Sequence, residues 1–152
     1  MTAPSPEVRH AGLVVCRLGG LWRGGLIVGP SGSGKSTLAL KLIGQGWTLV
    51  SDDRTSVFQS SGRVFGVAPR PLVGLIEARG VAVAPAPGQT TRIGEILAIF
   101  DCTLQRDPCR IPAAARETLA EVSLPKLAFD PFDAAAVEKF SLALRLAWQC
   151  NI

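Results

Sequence analysis

The 152-residue chain has no tyrosine, and its methionine and histidine are each single. The four cysteines, Cys16, Cys102, Cys109 and Cys150, form no CxxC pair and no His-Cys cluster, which argues against a zinc site and a disulfide scaffold. Cys102 and Cys109 are near enough in sequence to meet across a loop, but buried or incidental thiols are the expected state of free cysteine. No run of about 18 apolar residues offers a helical membrane span. MTAPSPEVRH at the start lacks a basic flank followed by an apolar stretch, so the expectation is a cytoplasmic protein without a secretory signal. The basic residues behind the net charge of +4 are dispersed. With aromatic platforms scarce as well, nucleic acid is not an expected partner.

What remains is an apolar chain, 47% hydrophobic and 18% charged, of a length that suits one domain. Residues 1–9, rich in Pro and Ser, read as a flexible lead-in, and residues 10–152 as one domain. AGLVVCRL and GLIVG read as strands separated by a Gly-rich turn, GGLWRGG. STLALKLIGQG reads as a helix with Leu38, Leu42 and Ile43 on one face, ended by Gly44 and Gly46. WTLVS is a short buried strand, and TSVFQSSGRVFG a hairpin turning at Ser61 and Gly62. The Pro- and Gly-dense stretch 67–94 holds a short helix or strand near residues 73–76 and then a brief strand. EILAIFD reads as a strand, PAAARETLAEV as a short helix and LPKLAFD as an extended segment. The last helix, DAAAVEKFSLALRLAWQ, is capped by Asp133 and carries Val137, Phe140, Leu144 and Trp148 on one stripe.

The chemistry begins at GPSGSGKS, residues 29–36, which matches GxxxxGKS between a strand and a helix. Such a loop binds phosphate because glycines let backbone N–H groups converge on phosphate oxygens and the helix N-terminus adds a favourable dipole. Gly29, Pro30, Ser31, Gly32, Ser33, Gly34, Lys35, Ser36 and Thr37 are therefore the candidate nucleotide-binding residues. Lys35 neutralises phosphate charge, and the Ser36 hydroxyl is a magnesium ligand. The motif alone does not choose between a kinase, a hydrolase and a switch.

One helix later the chain reads LVSDD, with adjacent carboxylates at Asp52 and Asp53. One acid beside such a loop serves the magnesium shell, and a second offers a base for the proton of an attacking hydroxyl. Alternation along a strand would aim only one of them at the phosphates. Glu77 and Arg79 in LIEARG add a candidate metal ligand and a phosphate-binding cation from one loop.

His10, GPSGSGKS at 29–36, LVSDD at 49–53 and LIEARG at 75–80 stand in the order found in HPr kinase/phosphorylase, the bacterial enzyme that phosphorylates a serine of the phosphocarrier protein HPr. The chain resembles the catalytic domain of that family over about residues 10–82 and looks like its short form, without the long form's N-terminal domain. The resemblance implies an α/β P-loop kinase-like domain with a mixed central sheet and flanking helices. It implies magnesium, ATP as phosphoryl donor and an HPr-like acceptor. Lys35 would bind phosphate, Ser36 and Glu77 would hold the metal, and Asp53 would accept the serine proton; Asp52 is a further metal candidate from the carboxylate pair itself. His10 matches the family's active-site histidine, and Arg110, with Arg106 as competitor, its late catalytic arginine. Arg79 joins the nucleotide-binding set. Near the C-terminus LAFDPFDAAAVEKF stands in place of the long form's Gly/Arg-containing loop. The resemblance therefore speaks for the kinase direction and leaves the reverse phosphorylase reaction, and a homo-oligomer, open. Two other readings are kept: a kinase of a small metabolite, and a nucleotide-binding regulatory module without phosphoryl transfer.

Overall fold

The computed structural model describes residues 6–103 and 115–150. In chain order its elements are β1 (Glu7–Arg9), β2 (Ala11–Leu18), β3 (Leu21–Val28), α1 (Lys35–Gly44), β4 (Thr48–Ser51), β5 (Thr55–Ser60), β6 (Arg63–Val67), β7 (Leu75–Ala78), β8 (Ala82–Pro85), β9 (Ile93–Asp101), β10 (Ala115–Leu119), β11 (Val122–Ala128) and α2 (Ala136–Cys150). Among the described residues a nine-stranded sheet runs β1-β5-β6-β9-β3-β2-β4, with β11 joining the end of β9 and carrying β10. The β3–β9 and β9–β11 pairs are parallel and the other pairs antiparallel. The mixed sheet and the C-terminal helix packed on it are those implied by the sequence.

Alternation along the strands builds two cores. Val14, Ile27, Ala98 and Phe100 face the helices and meet Leu38 and Leu42 of α1 and Phe140 and Leu144 of α2. Leu13, Val15, Leu26, Val50, Val57, Val64, Ile96 and Ile99 fill the other face, closed by Leu119 and Leu124 from β10 and β11. A register shift between Gly24 and Gly25, opposite Ile96 and Ala98, explains why Ile96 and Ile99 share a face despite their odd spacing, because one extra residue flips the alternation. On the helix side Phe140 stacks on Phe100 at 4.1 Å between ring centroids. Gly25 makes room for the pair, since a Cβ there would stand 2.5 Å from the Phe100 ring and 2.8 Å from that of Phe140.

Several sequence-based expectations are corrected. Residues 7–9, assigned to a loose lead-in, form β1, which pairs with β5 and is held by Arg9 bridging Glu7 and Glu117. GGLWRGG is not a turn throughout: Gly19 and Gly20 turn the hairpin and Leu21 already begins β3. The expected helix in PAAARETLAEV is a strand where it is described. Leu119 supplies core and Glu117 takes Lys126 at 3.1 Å, so sheet pairing overrides the helix propensity of the stretch. Its turn places Ala120 and Glu121 at positive φ, 48° and 69°, without the Gly or Asn that would signal it. In α2 the Phe140 and Leu144 stripe is buried, and the Asp133 carboxylate accepts the Ala135 N–H at 2.7 Å. Trp148 lies half out of the core, with the Arg23 guanidinium over its ring at 4.1 Å.

Arg23 also donates to Glu95 at 2.8 Å, and Arg63 reaches the same carboxylate at 2.7 Å. Burial pushes the Glu95 carboxyl up, but the bonds from Arg63 and Arg23 outweigh it and hold the group below the usual value. A lowered folded-state pKa gives stability that is present above the unfolded value and lost as pH falls through the folded one. The melting temperature should therefore fall on acidification below about pH 4.3. Glu95→Gln should flatten that part of the pH profile, and an unchanged slope would rule this ion pair out as its source.

Candidate functional site

The loop at 29–36 joins the end of β3 to α1, whose N-cap, Gly34, sits at φ 98° with no side-chain cap and no acid in the first turn. The first amides of α1 thus point outward with the positive end of the helix dipole behind them, an arrangement suited to an anion. Only glycine fits at Gly34, because a Cβ there would come within 2.7 Å of Pro131 Cγ and 2.8 Å of Phe132 Cζ. Lys35 is folded onto its own loop, donating to the carbonyls of Gly29 at 2.6 Å and Pro30 at 3.0 Å. The Ser33 hydroxyl, buried within the loop, is the one orphaned buried side-chain polar atom among the described residues.

The two aspartates divide. Asp52 is 6% exposed and its carboxylate accepts the Ser36 hydroxyl and the Glu77 backbone N–H, each at 2.9 Å. It thereby ties the start of α1 to β7. Burial pushes its carboxyl up, the bonds from Glu77 and Ser36 offset part of this, and the charges of Asp53 and Glu77 add to the rise. Asp53 is exposed, adopts φ 67°, and lines the cleft. The expected alternation does not govern this pair because β4 ends at Ser51 and Asp53 has left the extended region. A non-glycine residue held at positive φ is uncommon, and such residues cluster at functional sites.

The cleft, about 370 Å³, is lined by the loop residues Ser31, Gly32, Gly34, Lys35, Ser36 and Thr37, by Asp53, and by Glu77 and Arg79. Arg79 reaches over the loop: a Cβ built on Gly32 would lie 3.6 Å from its Nη1. Gly29, Pro30 and Ser33 hold the loop's shape without lining the cleft. Leu40, Ala78, Val81 and Phe132 complete the lining. These were not singled out from sequence. Phe132 had one available signal, its place in the turn-forming run DPFD immediately before the last helix.

His10 does not join the cleft. It is exposed in the bend between β1 and β2, where the register sets Arg9 opposite Thr55 and Ala11 opposite Val28. Arg106 and Arg110 lie outside the described residues, as does Cys109. Cys102 is buried behind the loop, where burial above all pushes its thiol up to about 12, so it is a packing residue rather than a nucleophile. A larger hollow of about 650 Å³ lies beyond the other end of α1, beside Gln45 and Trp47 and next to Glu138 and Arg145 of α2. It contains none of the motif residues.

Among the described residues no three His, Cys, Asp or Glu side chains form a metal cluster by themselves, and no helix is long and apolar enough to cross a membrane. Around Ser36 the donors are nonetheless all hard oxygens, and the charges of Asp53 and Glu77 already press on the buried Asp52. That set fits magnesium, which takes one or two carboxylates and otherwise keeps water and phosphate oxygens.

The family model described as HPr Serine kinase C-terminal domain matches residues 6–86. An HPr kinase/phosphorylase of Clostridium botulinum is 39% identical over 79 residues, 52% of this chain and 25% of that protein. That of Clostridium beijerinckii is 40% identical over 79 residues, with the same coverage of 52% and 25%. The chain thus matches about a quarter of the length of these relatives. Among solved structures the Hpr(Ser) kinase/phosphatase from Coxiella burnetii superimposes with a TM-score of 0.78 at 22% identity, covering 96% of this chain and 99% of that one. At that identity the likeness is one of fold.

Proposed function

We propose, for a chain that belongs to the HPr serine kinase C-terminal domain family, that the cleft transfers the γ-phosphoryl group of ATP to a serine hydroxyl of an HPr-like phosphocarrier protein in the cytoplasm. The observation that carries this reading is the division of labour between the aspartates. Asp52 is engaged with Ser36 and β7, while Asp53 faces the cleft beside the phosphate loop. The loop amides and the outward N–H groups of α1 bind the phosphates, Lys35 turns from its loop carbonyls to the transferred group, and Arg79 adds a second cation. Ser36, Asp52 and Glu77 would hold magnesium, which when bound neutralises charge on the phosphate oxygens. Asp53 accepts the proton of the serine hydroxyl as its oxygen bonds to the γ-phosphorus. The bond from that phosphorus to the bridging oxygen breaks, and ADP leaves with the electron pair.

Asp53, Glu77 and Arg79 are all exposed at the mouth. An open mouth suits a protein loop better than a small metabolite, which would need a deeper pocket. The discriminating experiment offers the enzyme labelled Mg-ATP with either HPr or a mixture of sugars and nucleosides. Label on HPr alone is the expected result, and label on a small hydroxyl compound would replace the protein acceptor with a metabolite.

The metal assignment carries its own expectation. A cation that binds only the folded cleft stabilises it by mass action, so magnesium should raise the melting temperature of the nucleotide-free protein. Asp52→Asn should remove that gain. A gain that survives the substitution would place the metal elsewhere.

A further inference from the structure

One face of α2 is left unused by the fold. Phe140, Leu144 and Ala147 are buried against the sheet, whereas Leu142 is 60% and Leu146 41% exposed. At about 100° per residue, Leu142 points away from the core, with Leu146 and Lys139 about 40° and 60° to one side of it and Glu138 and Arg145 about 40° and 60° to the other. The outer face thus carries two leucines one turn apart. Along one flank it carries an acid one turn before Leu142 and a base one turn after it.

Lys139 is engaged with Asp133 at 2.5 Å. Glu138 and Arg145 form no ion pair among the described residues. They cannot serve each other, because seven residues set them about 10 Å apart along the axis, two full turns. Both border the hollow beside Gln45 and Trp47, so their flank is open to whatever lies against α2.

The arrangement is its own complement. Consider two α2 helices running antiparallel about a two-fold axis that passes between Ser141 and Leu142. Such an axis lies in the contact plane and keeps matching flanks together, so each Glu138 stands opposite Arg145 of the other copy. Leu142 meets its counterpart beside the axis, and each Leu146 lies over the methylene stem of the other Lys139. A parallel pair would instead set Glu138 against Glu138 and Arg145 against Arg145, which repel. A membrane surface would also cover the leucines, but it would press Glu138 against anionic headgroups. A second copy leaves neither charge of that flank unpaired.

We propose that the outer face of α2 is the contact of a reversible homodimer, with Leu142 at its centre and two reciprocal Glu138–Arg145 pairs along one side. One helix pair buries less than the roughly 800 Å² per partner of a standard interface, so the dimer forms and parts with concentration. The paired flanks cover the mouths of the two hollows, and the phosphate-loop cleft at the other end of α1 stays open.

Sedimentation velocity from about 1 μM to about 1 mM, a span that covers the weak affinities of small interfaces, tests this. The intact protein should pass from monomer to dimer within that range. Leu142→Asp should weaken the dimer more than about tenfold, because it sets two carboxylates together at the axis. It should leave the melting temperature of the dilute monomer in place, since the side chain is exposed. Glu138→Arg alone and Arg145→Glu alone should each weaken the dimer, and an equimolar mixture of the two variants should restore it, because every facing pair is then of opposite sign. Monomer throughout the range would overturn the proposal. So would a dimer indifferent to Leu142→Asp, or two charge variants whose mixture associates no better than either alone. Intact protein that stays monomeric but co-sediments with anionic phospholipid vesicles, and loses them in Leu142→Asp, would give the face to a membrane and overturn the dimer likewise.

Discussion

Asp53→Asn should lower the turnover of phosphoryl transfer about a thousandfold while leaving nucleotide affinity where it was. A positioned general base contributes on the order of 10²–10⁴ in rate, and Asp53 is the member of the aspartate pair that the fold leaves facing the cleft. Asparagine is the informative replacement. It keeps the shape of the side chain and tolerates the positive φ of 67°, so the turn survives while the proton acceptor is lost. Asp52→Asn should behave differently. Its carboxylate accepts from both Ser36 and Glu77, and an amide cannot serve both N–H and O–H donors in the same way, so the magnesium dependence should shift along with the rate. Steady-state kinetics at saturating Mg-ATP separates the two cases: an unchanged KM for ATP with a collapsed kcat identifies Asp53, and a rate loss below about tenfold would remove it from the proton path.

The second large effect is on stability. Phe140→Ala should cost about 3–5 kcal/mol, the range for removing a large aromatic side chain from a packed core. The Phe140 side chain is fully buried, and its ring stacks on Phe100 at 4.1 Å and meets Trp47 edge-on at 5.2 Å. It is also the residue through which α2 grips the sheet beside Gly25, so little can collapse into the space it leaves. For a domain of this size each kcal/mol moves the midpoint by about 2–4 °C, which puts the loss at roughly 6–20 °C in a calorimetric scan. A loss under about 1 kcal/mol would mean that α2 is not docked through this ring.

What could be read from the sequence follows from how local each signal is. The strand, loop and helix around residues 25–44 announce themselves through glycine chemistry and apolar period, and Asp133 and the Phe140–Leu144 stripe do the same for α2. The candidate set Lys35, Ser36, Asp52, Asp53, Glu77 and Arg79 is brought to one place by the fold, with Asp52 bonded to Ser36 and β7 and Asp53 in the cleft lining. The division between the aspartates was not legible, because it depends on where β4 stops and on a left-handed residue that no neighbouring side chain signals. β10 was misread for a related reason: an Ala-rich stretch carries helix propensity, and only pairing with β11 makes it a strand. Phe132 was hidden because an aromatic before a helix is ordinarily core. Its place in the cleft lining comes from its contact with Gly34 and from the Lys41–Pro131 bond, which join segments nearly a hundred residues apart. His10 shows the converse, a motif match that the fold keeps out of the cleft lining.

The most direct test of the central claim is transfer of label from γ-labelled Mg-ATP to HPr, with intact enzyme and Asp53→Asn side by side, each also given an HPr whose acceptor serine is alanine. Label is expected only where intact enzyme meets intact serine, with nucleotide bound equally by both enzymes. Label on the serine-less HPr, or undiminished transfer by Asp53→Asn, would contradict it.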